Sequence, residues 1–189
     1  MNFEEKTIQR HEIYKGRIIH VVKDEVELPN NLGVSKRELV FHPGGVVIIP
    51  ITKEGKMVFV KQFRKPLEKV LLEIPSGKIE LDEYDDLESA AKRELEEETG
   101  YLARKFYKLK ETYMTPGFCN EVLHFYFATD LEKQLNPRPK DKDEVLEVYE
   151  LTFEEAKQAE KSKLIHDAKT VIALQIWEIE RLRGNLNEW

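Results

Sequence analysis

Four glutamates crowd the last two turns of a predicted helix, and their spacing is the first chemical signal in the sequence. They occupy positions 94, 96, 97 and 98, just before Gly100, where the helix should end. Carboxylates here face the negative pole of the helix dipole, which costs up to about 1 kcal/mol each. Glu94 also repels Glu97 and Glu98, because residues three and four apart share one face. Two interpretations follow: a solvated acidic face, or a site that a cation completes.

A divalent cation would turn this repulsion into binding. Three converging carboxylates supply the oxygen ligands that Mg²⁺ and Mn²⁺ prefer, and no histidine lies among them, which disfavours zinc. Arg93 precedes Glu97 by four residues and can hold that side chain in place. Because Mg²⁺ usually keeps several waters and engages substrate phosphates, the cluster predicts phosphate chemistry.

The segment before the helix completes a longer pattern. Gly77 would let the backbone approach an ion or a phosphate closely. From Gly77 to Tyr101 the sequence resembles the Nudix box, in which a glycine, five residues and a glutamate precede Arg-Glu-aliphatic-x-Glu-Glu-x-Gly-aliphatic. The second half matches except at Tyr101, which replaces an aliphatic residue. Nine residues rather than seven separate Glu83 from Arg93, so either two residues are inserted or Asp85 takes the place of the first glutamate.

The resemblance to the Nudix family implies a metal-dependent hydrolase. In that family the glutamates that match Glu94, Glu97 and Glu98 bind divalent metal, and the backbone carbonyl of the residue that matches Ser76 often joins them. We therefore expect Mg²⁺ as the cofactor, with Mn²⁺ as the alternative, and Arg93 as a further member of the catalytic set. The implied reaction is hydrolysis of a diphosphate that links a nucleoside to another group.

A second resemblance narrows the substrate. Residues 115–118 read Thr-Pro-Gly-Phe, and Pro116 follows Gly100 by 16 residues, which resembles the Ser-Pro-Gly signature of the ADP-ribose pyrophosphatase subfamily. Other segments similar to this subfamily are residues 36–46, 61–66 and 167–170. The resemblance covers essentially the whole chain and implies hydrolysis of ADP-ribose to AMP and ribose 5-phosphate. The alternatives are another nucleoside diphosphate sugar, such as GDP-mannose or ADP-glucose, and a non-catalytic nucleotide-sensing module.

Four residues outside the box are expected to contact this small-molecule substrate. Arg64, at a strand end, has a fork geometry that suits a diphosphate oxygen, and Arg37 could pair with phosphate or lie against the adenine. A surface ion pair is the alternative for both arginines. Glu121 matches a family glutamate that contacts substrate, with a solvated loop acid as the alternative. Phe118 could stack on a base, or simply pack in the core or an interface.

The general base is expected on the loop before the last sheet strand. Family members often carry it there, and the matching run in this sequence ends at Glu144. Glu144 is the first choice, followed by Asp143 and Asp141. Glu97 or Glu98, acting on a water held by the metal, is the main competitor.

The elements that must position these residues follow from periodicity and turn signals. Helical patterns cover residues 87–99, 153–161 and 167–183. The third pattern has an apolar stripe formed by Ile172, Ile176, Ile179 and Leu182, with Trp177 expected in the core. β-Branched and apolar runs predict strands at residues 17–28, 36–41, 46–51, 57–63, 70–74, 106–114, 122–129 and 144–151.

These elements predict an α+β protein. The resemblance implies the Nudix fold, an α/β/α sandwich with a mixed central sheet. Residues 1–42 are expected to form an N-terminal antiparallel β arm, and residues 43–189 the catalytic domain. In this subfamily such arms exchange between two protomers, so the resemblance implies a homodimer.

The composition narrows the protein class further. With 189 residues, of which 41% are apolar, the chain can bury a real core. A net charge of −6 argues against a general nucleic-acid binder, and no apolar run approaches the roughly 18–20 residues of a membrane span. The charged N-terminus does not resemble a signal peptide, and the single cysteine, Cys119, excludes an internal disulfide and a cysteine-based zinc site. We therefore expect a cytoplasmic enzyme that binds neither nucleic acid nor membrane.

Overall fold

Residues 2–140 and 144–184 are described in the computed structural model of the protein. They form two compact units: residues 2–44 with 112–123, and residues 45–111 with the described part of 124–184. The strands are β1 (Lys6–Lys15), β2 (His20–Glu27), β3 (Val34–Phe41), β4 (Gly45–Pro50), β5 (Met57–Arg64), β6 (Lys69–Glu73), β7 (Ser76–Lys78), β8 (Tyr101–Tyr113), β9 (Val122–Lys133) and β10 (Leu146–Leu151). The helices are α1 (Leu87–Thr99), α2 (Phe153–Lys161) and α3 (Ala168–Arg183).

The first unit is built on an antiparallel sheet in the order β1-β2-β3. Alternate residues of β2 are buried, namely Val22, Asp24 and Val26. Arg10 holds Asp24 in place, since its Nε and Nη2 donate to the two carboxylate oxygens at 2.8 and 2.7 Å. The predicted antiparallel β arm is therefore present.

The sequence patterns did not indicate β1, and the structure explains why. All ten residues of this strand are exposed, so no buried face imposes a regular alternation of apolar and polar residues on it. Its pairing with β2 also shifts register between Thr7 and Gln9 and again between Glu12 and Tyr14. Such irregularities break the alternation by which a strand is recognised in a sequence.

The remainder of the first unit is the connection between β8 and β9, which pairs with β3. The Val40 N–H donates to the Phe118 carbonyl at 2.8 Å, and the Asn120 N–H donates to the Val40 carbonyl at 3.2 Å. The Asn120 side chain in turn accepts from the His42 N–H at 2.7 Å. The Thr-Pro-Gly-Phe segment is thus held to the arm by backbone hydrogen bonds.

The second unit contains sheets in the orders β7-β4-β9-β8 and β10-β5-β6. All six residues of β4 are buried, as its continuous apolar run predicted. Helix α1 packs against β4 and β7, and it joins the core through Ala90, Ala91 and Leu95. This packing fixes the rotation of α1 about its axis, which decides where its glutamates lie.

The three predicted helices are confirmed, and each begins at a capping side chain. Asp86 caps α1, and Gly100 ends it in a left-handed conformation with φ of 74°. A capping box of Thr152 and Glu155 begins α2, and Asp167 caps α3. None of the helices in the described part of the chain has the length and apolar character that a membrane span requires.

The buried face of α3 differs from the predicted stripe. Ile179 and Leu182 are exposed, and the other two isoleucines are only half-buried. The buried residues are instead Thr170, Ala173, Leu174, Trp177 and Glu180. Trp177, predicted in the core, is fully buried and packs edge-to-face on Phe153 with 5.2 Å between ring centroids. The stripe prediction was wrong because the face of α3 that packs in the core is the one that carries Trp177, whose large indole buries more apolar surface than the isoleucines.

Candidate active site

Helix α1 carries two of the predicted metal ligands on its buried side. Glu94 and Glu98 are 8% and 2% exposed, on the face that also presents Ala91 and Leu95 to the core. Glu97 is half-buried. A solvated acidic face would leave these carboxylates in water, so the burial of Glu94 and Glu98 does not fit that interpretation.

Burial makes the two inner carboxylates hard to ionise. It raises the pKa of Glu94 to about 7, although Arg93 acts in the opposite direction. Burial also raises the pKa of Glu98 well above its usual range, and the negative charges of Glu94 and Glu144 add to this effect. Such carboxylates gain most from a nearby cation, which offsets both their burial and their mutual repulsion.

The short strand β7 lies directly against these glutamates. The Ser76 N–H donates to Glu98 Oε2 at 2.9 Å, and Gly77 pairs with Val46 of β4. A Cβ built on Gly77 would overlap the carboxylate of Glu94. The glycine of the box is therefore required by the close approach of the backbone to a glutamate side chain.

Arg93 links the helix to the loop that precedes it. Its Nε and Nη2 donate to the carboxylate of Glu83 at 2.7 and 2.9 Å, and its Nη1 lies 2.8 Å from both Glu94 and Glu97. The expected Arg93–Glu97 contact is therefore present. Of the two loop acids left open by the sequence, Glu83 rather than Asp85 is the partner of Arg93.

The donor set fits a hard divalent cation. Glu98 lies against the Ser76 backbone, Glu94 lies against Gly77, and Glu97 shares Arg93 with Glu94. A cation would lower the raised pKa values of Glu94 and Glu98. Among residues 2–140 and 144–184, no three acidic, histidine or cysteine side chains lie close enough together to hold a metal ion. Arg93 and the Ser76 amide instead occupy the carboxylates.

Arg64, predicted to contact phosphate, lies at the end of β5 in a two-point ion pair. Its Nε and Nη2 donate to the two carboxylate oxygens of Glu73, both at 2.7 Å. The hydrogen bonds to Glu73 raise the pKa of Arg64, and the charge of Glu98 adds to this. Arg64 is thus held by Glu73, and its charge also interacts with that of Glu98.

Glu144, predicted as the general base, belongs to the same electrostatic group. Its negative charge raises the pKa of Glu94 and of Glu98. The other two candidates on this loop, Asp141 and Asp143, lie outside the described residues.

The remaining predicted substrate contacts lie in the first unit. Arg37 donates to both carboxylate oxygens of Glu5, at 2.8 and 2.6 Å, and to Ser35 Oγ at 2.8 Å. Glu121 Oε1 lies 3.6 Å from His42 Nδ1. The structure therefore does not place these residues in the unit that holds the glutamate cluster.

Phe118 lines an apolar cavity within the first unit. The cavity has a volume of about 260 Å³, and the Phe118 side chain is half-exposed. Its lining also includes Leu39, Val40, Phe41, Tyr113, Pro116, Cys119 and Asn120. An apolar wall with an accessible aromatic ring suits a planar ring such as a nucleobase.

Two charged residues of the second unit were missed by the sequence reasoning. Glu73 is 1% exposed at the end of β6, and Lys169 contacts it from α3. A glutamate inside the apolar run 70–74 was the available signal, since a buried charge requires a partner. For Lys169 the sequence offered no signal beyond its place in the 167–170 segment.

Most of the chain is similar to proteins of known families. Residues 41–174 match the family model described as the NUDIX domain. The chain belongs to the Nudix family. Residues 5–40 match a second model, described as the nucleoside diphosphate sugar hydrolase N-terminal domain. The predicted family and the class of enzyme, a hydrolase, are thereby confirmed, and Nudix hydrolases generally require a divalent metal.

Relatives of this Nudix chain extend over nearly its whole length. The ADP-ribose pyrophosphatase of Bacillus subtilis (strain 168) is 45% identical over 179 residues, 95% of each chain. The methanol dehydrogenase activator of Bacillus methanolicus is 48% identical over 178 residues, 94% of this chain and 95% of the relative. A crystal structure of an ADP compounds hydrolase superposes with a TM-score of 0.80 at 20% identity, covering 98% of both chains. This likeness confirms the predicted α+β Nudix fold with its mixed sheet.

Proposed function

We propose that this Nudix protein hydrolyses ADP-ribose to AMP and ribose 5-phosphate in a metal-dependent reaction. The observation that carries the proposal is the burial of Glu94 and Glu98 on one face of α1, with Glu98 accepting from the Ser76 N–H. The substrate is supported by the relative named ADP-ribose pyrophosphatase, and a nucleoside diphosphate sugar is supported by the match of residues 5–40.

The glutamates of α1 and the Ser76 carbonyl are the proposed ligands of Mg²⁺, with Mn²⁺ as the alternative ion. Oxygen ligands favour either ion over zinc. When bound, the cation supplies positive charge that offsets the diphosphate and polarises the attacking water. Arg93 keeps Glu97 and Glu94 oriented through its contacts at 2.8 Å.

Glu144 is the proposed general base. Its charge reaches the same glutamates that would hold the metal, so its carboxylate is suited to take a proton from water near that point. Glu97 and Glu98 are the competing bases.

Substrate contacts are proposed for both units. Arg64 would donate to the diphosphate, since the pair with Glu73 uses only two of its five N–H groups. Phe118 would stack on the base in its apolar cavity. Arg37 would contact the substrate in place of Glu5, and Glu121 would contact it in place of His42.

We further propose that residues 1–42 form a dimerisation arm and residues 43–189 the catalytic domain. The arm exposes apolar side chains on β1, including Ile8, Ile13 and Tyr14. Exposed apolar groups of this kind favour burial in an interface, and a two-fold pair is the commonest assembly.

A substrate panel tests the function. The protein is incubated with ADP-ribose, ADP-glucose, GDP-mannose, NADH and diadenosine polyphosphates, with and without Mg²⁺, and the products are identified. We expect Mg²⁺-dependent release of AMP and ribose 5-phosphate, with the highest kcat/KM for ADP-ribose. Absence of turnover on every compound would refute the enzyme proposal, and equal rates on all sugar nucleotides would refute the choice of ADP-ribose.

A second candidate function comes from the relative named methanol dehydrogenase activator, which is 48% identical. In that case the protein would raise the rate of a dehydrogenase. Purified Bacillus methanolicus methanol dehydrogenase, assayed with and without this protein, tests it. An unchanged rate would exclude this candidate for that enzyme.

A further inference from the structure

A buried carboxylate in the second unit binds two cationic side chains at once. Glu73, at the end of β6, is 1% exposed. Arg64 donates to both of its oxygens at 2.7 Å, and Lys169 Nζ forms an ion pair with its Oε2. Burial alone would raise the pKa of Glu73, but hydrogen bonds from Arg64 and the charge of Lys169 lower it overall, so the group is ionised.

The start of helix α3 fixes Lys169 in this position. Asp167 caps the helix by accepting from the Thr170 N–H at 3.2 Å, and it accepts from Lys169 Nζ at 2.9 Å. Thr170 Oγ1 accepts from the Ile74 N–H at 3.1 Å, one residue beyond Glu73. The 167–170 segment therefore anchors α3 on the strand end that leads into Ser76.

Donor counting shows that both cations retain hydrogen-bonding capacity. Glu73 uses two of the five N–H groups of Arg64, and Lys169 gives two of its three to Glu73 and Asp167. The Arg64 side chain is 39% exposed and that of Lys169 is 12% exposed. A further hydrogen-bond acceptor can therefore approach the Arg64 guanidinium and the Lys169 ammonium.

Both cations also interact electrostatically with Glu98. The charge of Lys169 lowers the pKa of Glu98, partly opposing its burial. The charge of Glu98 likewise adds to the raised pKa of Arg64. The fold thus brings Lys169 and Arg64 together on Glu73, although Glu73 and Lys169 are 96 positions apart in the sequence.

We propose that Glu73 is a positioning residue that holds Arg64 and Lys169 together as a two-point cationic site for the diphosphate of the substrate. The inference rests on the proposed function only in naming that substrate. Beyond their hydrogen bonds to Glu73 and Asp167, Arg64 keeps three N–H groups and Lys169 keeps one, and charged donors of this kind suit phosphate oxygens.

Binding of methylenediphosphonate, a diphosphate that is not hydrolysed, tests the inference without activity. Isothermal titration calorimetry, with and without Mg²⁺, compares the wild type with Glu73→Gln, Lys169→Met and Lys169→Arg. We expect Kd to rise at least fivefold in Glu73→Gln and Lys169→Met, and less than fivefold in Lys169→Arg, which keeps the charge. The matched controls are Lys157→Met and Glu160→Gln, which break an ion pair on α2 and should leave Kd unchanged.

Kinetics then separate positioning from structural support. With ADP-ribose, Lys169→Met should raise KM at least fivefold, whereas the Mg²⁺ concentration for half-maximal rate should change less than twofold. A Kd for methylenediphosphonate within fivefold of wild type in folded Lys169→Met would overturn the inference, even if Glu73→Gln fails to fold. If the wild type does not hydrolyse ADP-ribose, the proposed function fails, while the calorimetry still decides this inference.

Discussion

At the residue scale, the proposed chemistry depends on Glu94 and Glu98, two carboxylates that the fold buries. Glu98 is the clearest case, because it is 2% exposed and its fixed partner is the Ser76 backbone N–H. Glu94 shares Arg93 with Glu97. Such an arrangement destabilises the metal-free protein locally, as is common at functional sites.

Replacement of Glu98 tests the metal assignment. Glu98→Gln should lower kcat at least about 100-fold, because a neutral amide is a poor ligand for Mg²⁺. Tm should not fall, since the amide removes a buried carboxyl that is costly to ionise. Steady-state kinetics and thermal unfolding measure both. Glu96→Gln is the matched control, because Glu96 contacts Arg138 on the surface; full activity in Glu98→Gln would contradict the assignment.

The stability of the metal-free protein should fall as pH rises toward neutrality. The folded-state pKa of Glu94 is about 7 against an ordinary value of 4.5, so the folded state keeps a proton that the unfolded chain has lost. This stabilisation is complete below the ordinary pKa and is lost as pH rises through about 7. Urea unfolding in EDTA should show a loss of roughly 1–3 kcal/mol between about pH 5 and pH 8.

Two comparisons isolate the cause of that loss. Glu94→Gln should have a flatter pH dependence than the wild type, because it lacks the titrating group. Saturating Mg²⁺ at about pH 8 should restore stability by binding only the folded state. An identical pH dependence in wild type and Glu94→Gln would show that other groups control it.

At the element scale, the site depends on how closely α1 packs against β7. The helix is locked by Ala90, Ala91 and Leu95 in the core, and β7 is held by its pairing with β4. Neither α1 nor β7 can shift relative to the other without disturbing this packing. The gap between them is therefore set by the core rather than by the charged residues.

Gly77→Ala probes that gap. The added Cβ would overlap the Glu94 carboxylate, so we expect at least a tenfold loss of kcat/KM and a destabilisation of about 1–3 kcal/mol. Gly117→Ala is the matched control for stability, since a Cβ there meets nothing within 4 Å. Unchanged kinetics in Gly77→Ala would mean that Glu94 can adopt another rotamer without loss of function.

At the scale of the whole molecule, the exposed strand β1 bears on assembly. All of its residues are exposed, including Ile8 and Ile13 at 57% and 62%. A protein rarely leaves an apolar edge strand in water unless a partner covers it.

Light scattering coupled to gel filtration should therefore give about twice the chain mass of 22.3 kDa. The double variant Ile8→Lys, Ile13→Lys should shift the protein toward monomer, because charged side chains oppose burial in the interface. The control variant Leu182→Lys changes an exposed residue of α3 and should leave the mass unchanged. A wild type that elutes as a monomer at all concentrations would exclude the dimer.

The sequence by itself determined what is local. The bounds of α1 and α2 follow from their capping residues and from periodicity, which are signals contained in a few turns of sequence. The spacing from Gly77 to Gly100 predicts the Nudix family, which the family model confirms. The glutamate cluster also stands out locally, because like charges at the wrong end of a helix are recognisable without any partner.

Only the tertiary structure decided which side of each element faces the core. In the folded chain Glu94 and Glu98 are buried, and Glu83 rather than Asp85 is the partner of Arg93. The tertiary structure also brought Lys169 to Glu73 across 96 positions of sequence. Local periodicity carries no information on such contacts, since they depend on how separate elements pack, and packing is a property of the whole core.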